Sequence, residues 1–240
     1  MVLLGTIVNG IAIILGTFLG KILNRIPDKI KGLVLQSIGL SVVILGIQMG
    51  LKSEQFLIVI LGLVFGSIWG EIIDLDSKLN TLGRWIERKL GAKEEGGIAK
   101  GFVTATLIFV IGAMAIIGSL DSGLRGDHRV LYTKSLLDGF TSLVLATTLG
   151  IGVLFSAVPV MLYQGSIALL ATKIEKWVPP QIMDSFIVEM TAAGGIMILA
   201  IGLNMLEITK IRVANMLPGI IVVALIVSGL YVWNEVLMFS

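Results

Sequence analysis

The run FLIVILGLVFGSIWGEII, at residues 56–73, decides the fold class because its 18 positions contain a single charged residue, Glu71. As a helix, a run of this length covers most of the roughly 30 Å hydrocarbon core of a bilayer. The whole chain has the same character: 56% of its residues are hydrophobic, 14% are charged, and its mean hydropathy is +1.00. An average soluble domain is about one quarter charged. The sequence therefore predicts an all-α protein embedded in a membrane.

Eight apolar runs predict a polytopic protein with about eight transmembrane helices in one integral-membrane domain, residues 1–240. The runs cover residues 2–23, 33–51, 56–73, 98–119, 131–155, 160–172, 185–206 and 213–232. The sixth run is short, and Pro159 lies at its entrance. We therefore expect this span to be tilted, broken or sheltered by neighbouring helices.

The distribution of Lys and Arg predicts the orientation. Of the 18 basic residues, twelve fall in the connections on one side of the predicted spans and six on the other. Cytoplasmic connections carry the excess of positive charge, so both termini are expected outside. Residues 1–15 contain no basic residue, and the first positive charge, Lys21, follows that stretch, which argues against a cleavable signal peptide. We expect a multi-pass protein of the plasma membrane.

Residues 75–91, between the third and fourth runs, predict an amphipathic helix. Its apolar residues recur at helical spacing, and basic residues occupy the other positions. The apolar residues are Leu75, Leu79, Leu82, Ile86 and Leu90. One interpretation is an interfacial helix whose basic side chains contact anionic membrane lipid. The other is a helix packed on the protein's own cytoplasmic surface, and the sequence leaves both open.

Two parts of the chain resemble each other. RIPDKI at 25–30, before the second run, resembles WVPPQI at 177–182, before the seventh, and Asn9-Gly10 pairs with Gln164-Gly165. Spans one to three, about 1–74, would then correspond to spans six to eight, about 159–235, with the central spans at about 98–158. Units five spans apart cross the membrane in opposite senses, so the sequence predicts an inverted repeat, an arrangement found in many secondary transporters. Similar composition of Gly-rich helices is the alternative.

Two carboxylates lie inside apolar runs, where ionisable groups are costly and are functional candidates. Asp138 follows Lys134 by one helical turn, a spacing that allows an ion pair with either a structural or a substrate-coupled role. Glu189 has no nearby cation in the sequence and precedes the small residues Ala192 to Gly195. We therefore favour Glu189 as a functional carboxylate beside a cavity.

The remaining candidates for binding a solute or an ion are polar residues at membrane depth. They are Asn9, Thr106, Asp121, Thr141, Gln164 and Thr191. Asn9 and Gln164 would be symmetry mates in the repeat. A single hydroxyl often bonds back to its own helix, so the concentration of such residues in the central spans is the informative feature.

Several functional classes find no support in the sequence. There is no cysteine, and His128 is the single histidine, which argues against a transition-metal site. We expect no cofactor, and no catalytic pattern indicates an enzyme. The formal net charge of +2 is too small to indicate a nucleic-acid partner. Glycines at four-residue spacing, such as Gly62, Gly66 and Gly70, favour close helix packing and are compatible with a homo-oligomer.

Three further segments resemble a known family. They are GAMAIIGSL from residue 112, KSLLDGF from residue 134 and FSAVPVMLYQG from residue 155. Together with LGTIVN at residues 4–9, they are similar to a bacterial membrane family known as domain of unknown function 554. The resemblance covers essentially the whole chain. It implies an integral membrane protein of prokaryotic plasma membranes and implies no particular activity.

We expect a secondary transporter or permease that carries a small polar solute or an ion by alternating access at the repeat interface. Asp138 and Glu189 would be its coupling or binding carboxylates. Two alternatives stay open. One is a channel lined by the same polar residues, and the other is a non-transporting scaffold or regulator that uses the amphipathic helix as its contact surface.

Overall fold

The structure, a computed structural model, describes residues 1–22, 28–90 and 97–238, and all regular structure among them is helical. Its α-helices are α1 Leu4–Ile22, α2 Asp28–Gly50, α3 Phe56–Ile73, α4 Leu75–Leu90, α5 Gly97–Val110, α6 Ala113–Leu124, α7 Arg129–Leu149, α8 Ala157–Trp177, α9 Pro180–Met205 and α10 Pro218–Met238. Two short 3-10 segments, Gly150–Ser156 and Val213–Met216, precede α8 and α10.

Six helical segments of the described chain are long and apolar enough to cross a membrane, and there are seven if the bent pair α5–α6 forms one span. This count treats Arg129–Trp177, which contains α7, a 3-10 segment and α8, as one segment of 49 residues. At 1.5 Å per residue, a straight helix of that length would be about twice as long as a bilayer is thick. The packing of its two helices against α1 shows how the length is accommodated.

The helices α1 and α7 run parallel and approach very closely. Gly16 lies against the backbone of Gly139, and one turn later Gly20 lies against the carbonyl oxygen of Leu143. A side chain at Gly16 would collide with the Gly139 carbonyl, so the approach requires glycine at this position. The two helices therefore start at the same end of the bundle, which we call the N-terminal end.

The helix α8 runs antiparallel to α1. Gly10 lies against Met161, whereas Gly165, one turn further along α8, lies against Leu3 near the beginning of α1. Since α7 is parallel to α1 and α8 is antiparallel, the chain reverses direction between them, at Gly150–Ser156. The positive φ of 72° at Gly150 ends α7 and begins this reversal.

A break at Gly112 separates α5 from α6 and bends the chain by 63°. Gly112 has φ 144° and ψ 146°, a conformation that L side chains rarely adopt. The preceding residue, Ile111, lies against Gly194 of α9. The apolar run at 98–119 is therefore bent, and a glycine of that run opens the helix.

Two more helix pairs, α2–α9 and α3–α10, pack antiparallel through glycines. The contacts are Gly39 with Gly202 and Gly46 with Leu199 in the first pair, and Gly62 with Val223 and Gly66 with Gly219 in the second. Because lipid tails are as apolar as the helix side chains, helices in a membrane usually associate through close backbone approach at small residues. The helix α9 therefore contacts α2 and also the break between α5 and α6, where Gly194 lies against Ile111.

The amphipathic helix α4 packs on the protein itself. Gly83 lies against Ala99 of α5, and the Glu87 carboxylate accepts a hydrogen bond of 3.0 Å from the Ala99 N–H. Leu82 and Trp85 are about half exposed and line a groove between α4, α5 and α8. These contacts favour the packed interpretation of this helix. It ends at Leu90, so residue 91 of the predicted helix lies outside the described residues.

Two predicted boundaries change in the structure. The sixth span is neither short nor broken, because α8 continues over 21 residues. Pro159 falls in its first turn, where a missing N–H removes no intrahelical hydrogen bond. The fifth span ends as an α-helix at Leu149 rather than Phe155. The proline-containing turn that suggested the repeat, at residues 25–30, lies partly outside the described residues.

Candidate functional site

A buried ion pair joins the neighbouring helical turns of α7. The Lys134 ammonium lies 2.9 Å from Oδ1 and 2.8 Å from Oδ2 of Asp138. The Asn9 side-chain amide of α1 donates a further hydrogen bond of 3.0 Å to Asp138 Oδ2. Lys134 and Asp138 are each 6% exposed, and Asn9 is fully buried. The ion pair predicted from the sequence is therefore present. Asn9, which the repeat pairs with Gln164, lies in contact with it.

Several buried polar groups of α1, α6 and α8 have no hydrogen-bond partners. They are Thr6 Oγ1, Asn9 Oδ1, Ser119 Oγ and both polar atoms of the Gln164 side chain. A buried polar group without a partner costs about 1–3 kcal/mol, and folded proteins contain few of them. We call Thr6, Asn9, Ser119, Lys134, Asp138 and Gln164 the polar cluster.

Helix contacts place Gln164 beside α1. A Cβ atom added to Gly165 would lie 3.9 Å from the methyl carbon of Thr6. Gln164 precedes Gly165 in α8, and Asn9 follows Thr6 by three residues, so Thr6 and Asn9 share one face of α1. Thr6 and Asn9 of α1 and Gln164 and Gly165 of α8 therefore lie at one level of the bundle, on helices that face each other.

Ser119 of α6 joins the same level. Gly123 of α6 lies against Ala168 of α8, and both helices run toward the N-terminal end. One turn back along each helix brings Ser119 level with Gln164. Ser119 and Gln164 are both fully buried. The polar cluster thus fills the interior between α1, α6, α7 and α8.

Hydrogen bonds close this interior at the N-terminal end. The Ser122 hydroxyl donates to the Val2 carbonyl at 2.8 Å and lies 2.7 Å from Nδ1 of His128. His128 is half-buried. Nearby, hydrogen bonds from the side chain and the backbone N–H of Arg129 lower the pKa of Asp127 to about 2.

Asp121 faces a separate surface cleft of about 430 Å³ between α6, α8 and α9. Its carboxylate pairs with Arg125 at 3.0 Å, and Glu175 and Asp184 line the same cleft. A surface ion pair of this kind contributes little to stability. Asp121 therefore lies apart from the polar cluster, at the outer surface of the same helices.

Glu189 of α9 caps the beginning of α3. Its carboxylate accepts hydrogen bonds from the Ser53 hydroxyl at 2.5 Å, the Glu54 N–H at 3.0 Å and the Gln55 N–H at 2.9 Å. Glu189 is 2% exposed. Free N–H groups and the positive end of the helix dipole favour an anion at this position. Glu189 and Asp138 therefore bind different partners, and the structure does not bring them together.

Thr191 lies near the break between α5 and α6. It is almost fully buried, and its hydroxyl has no hydrogen-bond partner. Gly194, less than one turn further along α9, contacts Ile111 at the break. The Ala115 N–H in the first turn of α6 donates to the Gly112 carbonyl at the break. Thr191 thus remains a candidate whose buried hydroxyl has no partner among the described residues.

The last two predicted site residues, Thr106 and Thr141, line apolar grooves. Thr106 lies in a groove of about 470 Å³ between α4, α5 and α8, and Thr141 in one of about 550 Å³ between α2 and α7. Most side chains lining these grooves are apolar. None of the residues that line these grooves belongs to the polar cluster, so both threonines remain candidates outside it.

At the opposite end of the bundle, α3, α4 and the second 3-10 segment form a polar junction. Asn215 accepts from the Asp76 N–H at 2.7 Å and donates to Glu71 at 2.7 Å, and Arg212 also bonds to Glu71. Burial raises the pKa of Asp76 above its ordinary value, although the Arg212 charge opposes this. The junction fastens α4 to the bundle.

The polar cluster contains one carboxylate and several buried oxygen atoms without hydrogen-bond partners. Among the described residues, no group of three His, Cys, Asp or Glu side chains could hold a metal ion in the way transition metals require. Sequence reasoning noted Lys134 and Ser119 but did not select them, and it overlooked Thr6. The three-residue spacing between Thr6 and Asn9 could have indicated a shared face, whereas nothing in the sequence connects Ser53 to Glu189.

Fold and site together define the class: an α-helical membrane protein with several spans and a polar interior. The chain belongs to the family described as "Protein of unknown function (DUF554)", whose model matches residues 4–228. This confirms the resemblance seen in the sequence.

Two relatives are similar over nearly their whole length. One is "Uncharacterized membrane protein YdfK" of Bacillus subtilis (strain 168), 33% identical over 96% of this chain and 98% of the relative. The other is "Uncharacterized protein YqgA" of Escherichia coli (strain K12), 30% identical over 91% of this chain and 93% of the relative. No solved structure matches the chain. The first relative's name supports the membrane assignment.

Proposed function

We propose that the protein is a secondary transporter that carries a small polar solute or an ion across the plasma membrane. The observation that carries this proposal is the polar cluster: a buried ion pair surrounded by polar atoms without partners, inside a bundle of apolar helices. Ionisable groups persist at such positions mainly where they bind or relay something. A purely structural interior would leave fewer polar atoms unsatisfied.

The packing of the outer helices supports an inverted repeat. Each helix of the first predicted unit packs antiparallel against its counterpart: α1 against α8, α2 against α9 and α3 against α10. A two-fold axis in the membrane plane would produce such pairs. Counting α7 and α8 as two crossings, because the chain reverses between them, and α5–α6 as one brings the total to eight.

The roles of the two carboxylates differ in this proposal. Asp138 is the binding carboxylate, since it lies in the polar cluster. Glu189 links the second unit to the first, because it is on α9 and holds the beginning of α3. Movement of one unit against the other would change this link. Glu189 would then couple the two units rather than contact the solute.

Flux measurements test the proposal. The purified protein is reconstituted into liposomes with a Na⁺ or K⁺ gradient, and a pH-sensitive dye inside the liposomes reports proton movement. Saturable counterflow of the transported solute or ion separates a transporter from a channel. We expect Asp138→Asn to abolish flux per folded protein and Glu189→Gln to reduce it. If both variants transport like the unmodified protein, the site assignment is wrong.

Accessibility of the cluster tests alternating access directly. The chain has no cysteine, so Ser119→Cys and Thr191→Cys each introduce a single thiol. In a transporter, a membrane-impermeant thiol reagent should be able to label Ser119→Cys from either side of the membrane. Conditions that increase labelling from one side should decrease labelling from the other side. Simultaneous labelling from both sides would indicate a channel instead. Protection under all conditions would indicate a scaffold.

A further inference from the structure

We propose that the groove between α4, α5 and α8 binds one anionic phospholipid from the membrane leaflet at that end of the bundle. An acyl chain of the lipid lies between the helices, and its phosphate lies beside the Lys89 ammonium. The inference rests on the membrane assignment and does not depend on transport. It differs from the interfacial interpretation of α4, because the helix stays packed on α5 and the lipid enters beside it.

The wall of this groove, which we call the α4 groove, suits a hydrocarbon chain. The groove has a volume of about 470 Å³, and its lining side chains other than Thr106 and Lys89 are aliphatic or aromatic. The helix α4 contributes Leu79, Leu82 and Ile86, and α8 contributes Val158 and Leu162. A polar solute would lose its hydration in such a groove without gaining hydrogen bonds. A hydrocarbon chain has no such cost.

The α4 groove runs inward from the end of the bundle at which α4 lies. Gly83 of α4 lies against Ala99 of α5, and Gly152, just before α8, lies against Ile98 of α5. The first turns of α5 and α8 therefore meet beside α4. The residues of α8 that line the groove belong to its first two turns. A chain in the groove therefore lies along the bundle, as acyl chains do in a leaflet.

A cation lies at the opening of the α4 groove. The Lys89 ammonium is 5.9 Å from the centre of the Trp85 ring, and both residues are exposed while lining the groove. Within the part of the chain that the structure describes, Lys89 forms no ion pair with a carboxylate. Lysine and tryptophan are typical of the headgroup level, where each has an apolar part in lipid and a polar end in water. The phosphate of a lipid can therefore approach Lys89.

The exposed charges of α4 favour an anionic headgroup over a zwitterionic one. The two acidic side chains of this helix turn toward the protein, since Asp76 is partly buried and Glu87 is buried against α5. The exposed charged residues of α4 are Lys78, Arg84, Arg88 and Lys89. All four are positive. Basic residues at a membrane surface attract anionic lipid.

Fluorescence quenching by brominated lipid tests this site in the full-length protein. The chain contains four tryptophans, and Trp69→Phe, Trp177→Phe and Trp233→Phe together leave Trp85 as the reporter. The protein in detergent is titrated with phosphatidylglycerol or phosphatidylcholine that carries bromine on its acyl chains. We expect both lipids to quench Trp85 saturably. The affinity should be about fivefold higher for phosphatidylglycerol, because one basic residue near an anionic headgroup contributes about that factor.

A second reporter protein measures the general attraction of anionic lipid to this end of the bundle. It retains Trp69 as its single tryptophan, which is exposed near the end of α3 and does not line the α4 groove. The two brominated lipids should quench Trp69 about equally. A preference confined to Trp85 then belongs to the groove.

Variants of the Trp85 reporter separate the headgroup from the chain. Lys89→Gln should reduce the preference for phosphatidylglycerol about fivefold. Arg88→Gln changes the adjacent exposed cation, which lies outside the groove, and should leave the preference unchanged. Val158→Phe narrows the groove and should weaken quenching by both lipids alike. Leu169→Phe, at an exposed position of α8 outside the groove, is its control.

Equal preferences at Trp69 and Trp85 would overturn the inference, because the lipid would then follow the positive charge of the surface rather than the groove. An unchanged preference in Lys89→Gln would also overturn it. If neither lipid quenches Trp85, another occupant, such as a second copy of the chain, covers the groove. Displacement of the brominated lipid by soluble glycerol phosphate would show that the site recognises a phosphate without an acyl chain, which contradicts the proposal.

Discussion

Asp138 and Glu189 are both buried carboxylates in apolar helices, yet their surroundings differ. Glu189 accepts three hydrogen bonds from one loop, which satisfy its carboxylate oxygens without a lysine or arginine side chain. Asp138 depends on a lysine side chain, and polar atoms without partners lie around it. A carboxylate whose oxygens are satisfied by a hydroxyl and two backbone N–H groups, like Glu189, fastens two parts of the fold together. A carboxylate that is paired with a lysine side chain, like Asp138, can also bind a solute that replaces the lysine. Burial alone therefore does not identify a site.

The largest effect expected from this contrast is on stability after removal of Asp138. Asp138→Leu leaves the buried Lys134 ammonium without a counter-charge, and we expect a loss of about 3–5 kcal/mol. Unfolding in detergent with increasing denaturant measures it. The double variant Lys134→Met/Asp138→Leu should recover most of the loss, because both charges are removed. A double variant as unstable as the single one would contradict the assignment of the cost to the unpaired charge.

Removal of Glu189 should cost less. Glu189→Ala deprives the Ser53 hydroxyl and the N–H groups of Glu54 and Gln55 of their acceptor, and we expect a loss of about 2–3 kcal/mol. The same unfolding experiment applies. Glu54→Ala is the matched control, since this side chain is exposed, and it should change stability by less than about 0.5 kcal/mol. Equal losses for both variants would show that the cap contributes nothing specific.

Glycine substitutions test the packing that positions each carboxylate. Gly16→Ala places a methyl group against Gly139 near Asp138, and Gly46→Ala places one against Leu199 in the pair that carries Glu189. Each should cost about 1–3 kcal/mol, because the opposing backbone must move. Gly229→Ala meets open space and should be neutral or stabilising. Losses at Gly229 comparable to those at Gly16 would argue against the close approach.

The smallest effect is expected at Gln164. Gln164→Leu removes an amide that has no hydrogen-bond partner, so stability should change by less than about 0.5 kcal/mol or increase. Asn9→Leu is the comparison, and it should cost about 1–3 kcal/mol because Asp138 loses a donor. Thermal unfolding in choline chloride measures both variants. A larger loss for Gln164→Leu would show that Gln164 has a structural partner.

Much of the helical architecture could be predicted from the sequence, because local composition is sufficient for it. The long apolar run at 56–73 becomes α3 with the same bounds, and the amphipathic pattern at 75–91 becomes α4. The spacing between Lys134 and Asp138 predicted their ion pair, since one helical turn separates them. The break at Gly112 was harder to place, because several glycines in that run could have opened the helix.

The contacts between distant residues could not be predicted. Glu189 and Ser53 are 136 positions apart, and Asn9 and Asp138 are 129 positions apart. Their meeting depends on which helices pack together and in which direction, and one apolar face in lipid looks much like another. The sequence therefore favoured Glu189 as a carboxylate without a partner, whereas the fold supplies it with three.

The amino-acid sequence by itself determined that this chain is helical and belongs in a membrane, because the length and polarity of each run are local properties that a bilayer selects directly. It also determined the ion pair within one turn of α7. Only the tertiary structure decided that the chain reverses between α7 and α8, that Glu189 caps α3 and that Asp138 lies among unsatisfied oxygens. These features arise from close helix packing at glycines such as Gly16 and Gly46, where a few ångströms decide which polar groups meet.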